Sequence, residues 1–187
     1  MGRRAVLVIG ANGSGKSSVM REIVGPNYEM RRHPIWYYSV NEGRSIVAPG
    51  KYDVPCGGCD GVKSIYSAMN IVDRLSRLYP DYDLFFEGVR LTTVFQNMVR
   101  LLLELKYAHG REVEVHYLYT SPYVSVSRVL ERNGGKEIVQ DAIIGAVKTA
   151  LRNFRHHRRL GLYTCVAHDA TTLTPQQIAE EILHGQL

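Results

Sequence analysis

The clearest chemical signal in the sequence is a glycine-rich segment that ends in a lysine and a serine. It follows the apolar run Ala5–Ile9 and has the pattern G-x-x-x-x-G-K-S, formed by Gly10, Ala11, Asn12, Gly13, Ser14, Gly15, Lys16 and Ser17. Glycines let the chain curl so that backbone N–H groups point at an anion, and the following helix adds the partial positive charge of its N-terminus. The pattern predicts that Lys16 reaches the β- and γ-phosphates of a nucleoside triphosphate and that Ser17 ligates Mg²⁺. Ser18 is counted with these nucleotide-binding residues.

A carboxylate stands at the end of another apolar run, Leu84–Phe86. Glu87 ends a predicted buried strand, and open α/β sheets bind their ligands at the carboxyl ends of strands. A carboxylate there can hold Mg²⁺ or accept a proton from an attacking hydroxyl. The alternative is a residue that only caps the next turn. Given the phosphate loop, we expect Glu87 to serve the metal or the acceptor.

The segment from Lys51 to Asp60 has the most unusual composition in the chain. Cys56 and Cys59 have the spacing of metal ligands, but no second Cys or His pair follows, so a zinc site and a redox pair are both weakly supported. The glycines favour a hinge that brings backbone close to an acceptor substrate. Asp60 then has two interpretations, the N-cap of a helix or a second candidate base.

Two arginines lie four residues apart, so Arg128 and Arg132 share one face of a predicted helix. That helix is interrupted at Gly134-Gly135, and Lys136 follows. A mobile segment that carries arginines can cover the γ-phosphate and neutralise charge during phosphoryl transfer. These features favour a lid at about 122–140, and the alternative is a solvated helix face.

A longer helix carries a second basic face. It consists of Lys148, Arg152, Arg155 and Arg159, and His156, His157 and Arg158 add to its positive charge. Such a face is typical of contact with a nucleic-acid backbone or simply with solvent.

Two further groups of residues could contact bases. Asp169 and Ala170 follow the last predicted strand, where the base of a nucleotide can pack. Aromatic side chains on the acceptor side suit base stacking, although packing of a hairpin explains some of them equally well: Tyr37, Tyr38, Tyr52 and Tyr66.

Strands and helices alternate along the chain, and this alternation must position these residues. Strands are predicted at Ala5–Ile9, Leu84–Phe86, Glu112–Tyr119 and Tyr163–His168. The helical stretches between them predict a parallel sheet with helices on both faces. Apolar runs on either side of Asn41-Glu42-Gly43 predict a β-hairpin. We therefore expect a three-layer α/β fold of the P-loop NTPase type, one domain over 1–187, with the hairpin and an acceptor loop at about 35–61.

The composition narrows the class of protein. The 187 residues are 45% hydrophobic and 22% charged, as in globular domains. The net charge of +5 modestly favours polyanionic partners. Three cysteines do not form a disulfide framework, and no apolar run approaches the roughly 20 residues of a membrane span. We expect a cytoplasmic protein that binds no membrane, and its oligomeric state stays open.

With these residues in view, the sequence resembles the nucleoside monophosphate kinase group of P-loop proteins over most of its length. The resemblance is carried by Gly10–Ser17, the strand ending at Glu87, the helix with Arg128 and Arg132, and His168-Asp169-Ala170. It implies that the last loop contacts the adenine of ATP and that the lid arginines contact the phosphates. The plan is thymidylate kinase-like, but the Asp-Arg-aromatic motif of thymidylate kinases is missing.

The acceptor side looks like that of small bacteriophage P-loop kinases, including those that phosphorylate 5-hydroxymethyluracil within viral DNA. This likeness rests on the hairpin and on the Cys-Gly-Gly-Cys-Asp core of the loop. It implies a Mg²⁺/ATP-dependent kinase that acts on DNA in the host cytoplasm. The alternatives are a kinase of free deoxynucleoside monophosphates and a nucleotide-dependent binding switch. A GTPase and an ABC-type ATPase are disfavoured because neither Asn-Lys-x-Asp nor Leu-Ser-Gly-Gly-Gln occurs.

Overall fold

The computed structural model describes residues 3–33, 36–53 and 57–185. The strands are β1 (Arg4–Ile9), β2 (Glu29–His33), β3 (Trp36–Asn41), β4 (Ile46–Pro49), β5 (Asp83–Glu87), β6 (Glu112–Tyr119) and β7 (Thr164–Asp169). Within the described residues they form one seven-stranded sheet in the order β2-β3-β4-β5-β1-β6-β7.

The strands from β4 to β7 in this order are all parallel. Leu7 of β1 pairs with Phe86 of β5 on one side and with Val115 of β6 on the other. The central strands are nearly continuous apolar runs because both faces of the sheet are covered by helices. The predicted α/β fold with a parallel sheet is confirmed.

The predicted hairpin is present as β3 and β4, which pair antiparallel with Val40 opposite Val47. It continues the main sheet, because β4 also pairs in parallel with β5. A further antiparallel strand, β2, pairs with β3 at the edge. The sequence does not predict β2, because its side chains are largely exposed and lack the apolar alternation of a half-buried strand.

The helices are α1 (Lys16–Val24), α2 (Ile65–Leu78), α3 (Val89–Thr93), α4 (Phe95–Tyr107), α5 (Pro122–Arg132), α6 (Gln140–Leu160) and α7 (Pro175–His184). They cover the two faces of the sheet, and successive side chains of β1 point to opposite faces. Ala5, Leu7 and Ile9 pack in a core cluster with α2, α4 and α6. Val6 and Val8 pack in a second cluster with α1 and α7. None of the described helices combines the length and apolar composition that a transmembrane segment requires.

Strand β1 lies where the strand order reverses, with β5 on one side and β6 on the other. Ligands of open α/β sheets bind outside the carboxyl ends of the strands at such a point. The phosphate loop follows β1 there, and Glu87 ends the adjacent β5. The fold thereby brings Ser17 and Glu87, 70 residues apart in sequence, into hydrogen-bond contact.

The predicted basic face of α6 holds for its lysine and arginines, which are exposed. His157 differs, since it is 2% exposed, lies against the ring of Phe95 and has its Nδ1 2.5 Å from the Tyr163 hydroxyl. Burial lowers the pKa of His157 to about 4, so this side chain is neutral near pH 7. The expectation that His157 adds to the positive charge of the face is wrong.

The burial of His157 predicts a specific pH dependence of stability. The pKa is about 4 in the folded state and 6.5 at its ordinary value, so the unfolded chain binds more protons between these values. His157 therefore leaves the free energy of unfolding unchanged above pH 6.5, and about 3 kcal/mol of that free energy is lost as the pH falls toward 4. Urea unfolding at a series of pH values should show this loss in the wild type and not in His157→Gln. An identical pH dependence of the two proteins would contradict the burial.

Candidate active site

The phosphate loop runs from the end of β1 to the start of α1 through two glycines in the left-handed region. Gly13 has φ +79° and Gly15 has φ +88°, conformations that favour glycine. Lys16 is 5% exposed, and its Nζ donates to the carbonyl oxygens of Gly10 and Ala11 at 2.9 Å each. Its charge therefore lies inside the curve of the loop, and its contact with the phosphates stays a prediction.

Glu87 is fully buried beside this loop. The Ser17 hydroxyl donates to Oε1 at 3.0 Å, whereas Oε2 has no hydrogen-bond partner among the described residues. Burial raises the pKa of Glu87 to about 7; the Lys16 charge opposes this rise and the Asp60 charge adds to it. A buried carboxylate with a perturbed pKa and an unpaired oxygen is typical of a functional site.

The glycine-rich segment lies directly against Glu87. Gly58 has φ +65°, and a Cβ at this position would lie 2.4 Å from Glu87 Oε1. The backbone N–H of Cys59 donates to the Glu87 carbonyl oxygen at 3.0 Å. Gly50 approaches Gly58 equally closely, since its Cβ would lie 2.3 Å from the Gly58 carbonyl oxygen. The segment therefore brings backbone against the strand-end carboxylate.

A metal or redox site at the cysteine pair gains no support. Burial raises the pKa of the Cys59 thiol, and both kinds of site need a thiolate. Cys56 lies outside the described residues.

Asp60 caps a helix other than the one that follows it in sequence. Its Oδ1 accepts from the backbone N–H of Val89 at 2.7 Å, at the start of α3. The next helix in sequence, α2, is capped by Ser64 instead. A cap and a catalytic group are therefore compatible at Asp60, and its role as a base stays a prediction.

Helix α5 lies over the phosphate loop. A Cβ on Gly13 would lie 2.5 Å from the Ser125 carbonyl oxygen, so the two backbones are in direct contact. Arg128 donates from Nη2 to the Ala170 carbonyl oxygen at 3.0 Å and makes a longer contact of 3.4 Å to that of Gly13. Arg128 thus joins the phosphate loop to the loop after β7. Arg132 lies one turn further along the helix.

These groups surround a cavity of 340 Å³ at the carboxyl edge of the sheet. Its walls are formed by Asn12, Gly13, Gly15, Lys16, Ser17, Ser18, Asp60, Arg128, Glu131 and Arg132. The structure therefore brings residues of the phosphate loop, Asp60 and both predicted arginines to one site. Glu87 lies behind Ser17.

Asp169 and Ala170 lie beside this cavity and not in its described wall. Ala170 is 4% exposed and packs in the core cluster with α1 and α7. Asp169 closes its own turn, with Oδ1 accepting from the backbone N–H of Thr171 at 2.9 Å. Their contact with a nucleotide base stays a prediction.

A larger cavity of 900 Å³ opens between β3 and α2. Gly57, Gly58 and Gly61 lie in its wall. The loop that presses on Glu87 therefore separates the two cavities.

Known proteins resemble this chain along most of its length. A family model described as "5-hmdU DNA kinase" matches residues 4–180. The chain belongs to this family. Among curated relatives, 5-hmdU DNA kinase 1 of Salmonella phage ViI is 28% identical, covering 82% of this chain and 70% of that protein. The 5-hmdU DNA kinase of Pseudomonas phage M6 is 26% identical, covering 78% and 80%. A solved structure of a deoxyadenosine kinase from M. mycoides matches with a TM-score of 0.46 and 14% identity over 96% of each chain.

As a member of the 5-hmdU DNA kinase family, the chain is a phosphotransferase that uses a nucleotide. Two aromatic residues of the larger cavity, His33 and Trp36, were not predicted from the sequence; their rings stack with centroids 4.8 Å apart. A signal was available, because Trp36 is the only tryptophan of the chain and lies in the predicted hairpin. Of the predicted tyrosines, Tyr37 lines the cavity, whereas Tyr52 is 1% exposed and belongs to the core.

The contact between Gly58 and Glu87 predicts the effect of an added methyl group. Gly58→Ala in this kinase combines an unfavourable φ with a clash against a buried carboxylate. Gly161 is a matched control, because its φ is +62° and nothing lies within 4 Å of its Cβ position. We expect Gly161→Ala to cost roughly 1 kcal/mol of unfolding free energy and Gly58→Ala about 1–3 kcal/mol more. Urea unfolding of the two variants decides, and equal losses would contradict the close approach.

Proposed function

We propose that this kinase transfers the γ-phosphoryl group of ATP to the hydroxymethyl oxygen of 5-hydroxymethyluracil in DNA. The observation that carries the proposal is the shared glycine loop, in which Gly58 lines the larger cavity and Asp60 lines the phosphate-loop cavity. A donor in one cavity and a nucleobase in the other would meet at this loop. The names of the curated relatives support the same acceptor. Because those relatives are phage proteins, we assign the reaction to the cytoplasm of an infected host.

The donor half of the reaction uses the phosphate loop. Its backbone amides and Lys16 would hold the β- and γ-phosphates. Arg128 and Arg132 bring positive charge to the same cavity and would neutralise the charge that develops on the transferring group. We assign residues 122–140 as a lid over the nucleotide and the loop at Asp169–Ala170 as the adenine side of the site.

Ser17 and Glu87 would hold Mg²⁺. A hydroxyl and a carboxylate that meet at 3.0 Å beside the phosphate loop are the oxygen ligands this ion prefers, and Glu87 Oε2 has no partner among the described residues. A bound Mg²⁺ supplies charge that neutralises the β- and γ-phosphate oxygens. It would also favour the ionised form of Glu87, whose pKa burial raises to about 7.

We assign Asp60 as the base that accepts the proton of the acceptor hydroxyl. One of its oxygens accepts from the Val89 N–H, which holds the side chain in the cavity wall. The hydroxymethyl oxygen bonds to the γ-phosphorus while its proton passes to Asp60, and the bond from the γ-phosphorus to the departing ADP oxygen breaks. Asp60 then returns the proton to solvent. Glu87 is fully buried behind Ser17 and is assigned to the metal instead.

Three acceptors assayed side by side and a variant of Lys16 test this function. Labelled ATP is offered to a 5-hydroxymethyluracil duplex, to an unmodified duplex of the same sequence and to free deoxynucleoside monophosphates. We expect label only in the modified duplex, recovered as a phosphomethyl nucleoside by mass spectrometry. Lys16→Ala should lower the transfer rate by about 1,000-fold or more, because it removes a charge aimed at the transferring group.

The circular dichroism spectrum of Lys16→Ala serves as its folding control. Transfer to free monophosphates alone would make the chain a deoxynucleotide kinase. Tight ATP binding without acceptor-stimulated ADP release would make it a nucleotide-dependent switch. Either outcome, or near-normal transfer by Lys16→Ala, contradicts the proposal.

Removal of divalent cations tests whether transfer needs the metal ion that Ser17 and Glu87 are proposed to hold. Excess EDTA should reduce transfer to background, because the phosphate charges are then left without a metal counter-ion, and added Mg²⁺ should restore it. Undiminished transfer in EDTA would refute the metal assignment.

A further inference from the structure

The larger cavity has the size and lining of a nucleotide site. Its 900 Å³ fall within the range of about 300–1,000 Å³ for small-molecule sites. Trp36 and His33 form a stacked pair in its wall, with ring planes 21° apart. Aromatic surfaces of this kind bind a base through its π face.

The charged side chains among the described lining residues of this cavity are all basic. Lys51, Lys63 and Arg74 lie in its wall, and no carboxylate does among the described lining residues. Lys51 Nζ lies 3.8 Å from the centroid of the Tyr37 ring, whereas Lys63 and Arg74 are exposed. Exposed cations beside an aromatic pocket complement the phosphates of a nucleic-acid strand that crosses its entrance.

The reacting centre is recessed. Glu87 is 0% and Lys16 is 5% exposed. The acceptor oxygen must nevertheless come within about 3–3.5 Å of the phosphorus. The C5 substituent of a paired pyrimidine projects into the major groove from the edge of its own base pair, with neighbouring base pairs above and below it. The flanking duplex would therefore meet the cavity walls before that oxygen reached the phosphate, unless the base left the stack.

We infer that this kinase extrudes the target nucleotide from the DNA duplex, stacks its base on Trp36 in the larger cavity and holds the flanking phosphates with Lys63 and Arg74. The inference rests on the proposed function and adds how the duplex presents its base. It also assigns DNA to this cavity and not to the basic face of α6.

The strength of pairing gives the first test, and it needs no variant. Acceptor duplexes differ only in the position opposite 5-hydroxymethyluracil, which holds adenine, a mismatched cytosine or no base. Extrusion must overcome pairing, so kcat/KM should rise about 10-fold or more from the adenine pair to the mismatch and the abasic partner. A 2-aminopurine placed next to the target should brighten when the enzyme binds with a non-hydrolysable ATP analogue.

Substitutions in the cavity give the second test. Trp36→Ala should lower kcat/KM for the duplex about 10-fold or more, and Trp36→Phe should lose less because a ring still stacks. Arg74→Ala should weaken duplex binding and reduce its salt dependence. Arg152→Ala on α6 removes the same charge from an exposed face and should do neither. Unfolding curves and ATP affinity report whether each variant is folded.

The outcomes separate the inference from the proposed function. Equal kcat/KM across the pairing series without a fluorescence rise overturns extrusion, while transfer to the duplex leaves the proposed function standing. A loss with Arg152→Ala as large as that with Arg74→Ala would move the DNA to α6 and also overturn the inference. No transfer to any modified duplex by the wild type would overturn both.

Discussion

The site depends on a carboxylate that the fold keeps out of water. Glu87 ends β5 beside the switch point of the sheet, is 0% exposed and is bound by Ser17 at the start of α1. Burying an ionisable group opposes folding unless charge or hydrogen bonds compensate it, and here one carboxylate oxygen has no partner among the described residues. Lys16 supplies part of the compensation by lowering the pKa of Glu87 against the effect of burial. The sheet, the helix and the loop therefore surround a buried carboxylate, and in the proposed function its unpartnered oxygen binds Mg²⁺.

The same carboxylate explains why the loop that contacts it is rich in glycine. Gly58 presents only backbone to Glu87, and Gly50 presents only backbone to Gly58. Because of these two contacts, only a single loop separates the phosphate-loop cavity from the larger cavity. Holding two reactants this close lowers the barrier to their reaction, and such positioning is most of what a kinase contributes to catalysis. In the proposed reaction, acceptor choice and phosphoryl transfer would use the same few residues.

The sequence predicts those structural features that depend on residues close together in the chain. The phosphate loop and the apolar strand that ends at Glu87 could both be predicted, because each depends on residues close together in the chain. Contacts between segments far apart in the chain could not be predicted from the sequence. Asp60 caps a helix that starts 29 residues later, and His157 lies in a run of basic residues yet is buried against Phe95 and Tyr163. Strand β2 is held by its pairing with β3 and carries no hydrophobic pattern of its own.

The central claim is that the Ser17 hydroxyl and the Glu87 carboxylate act as one unit in phosphoryl transfer. A double-mutant cycle tests this claim. kcat/KM for transfer to the 5-hydroxymethyluracil duplex is measured for the wild type, Ser17→Ala, Glu87→Gln and the double variant. If the two groups act as one unit, each single change should cost about 100-fold or more, and the double variant should be no slower than the slower single variant. Losses that multiply in the double variant would show that the two groups act independently and would contradict the account.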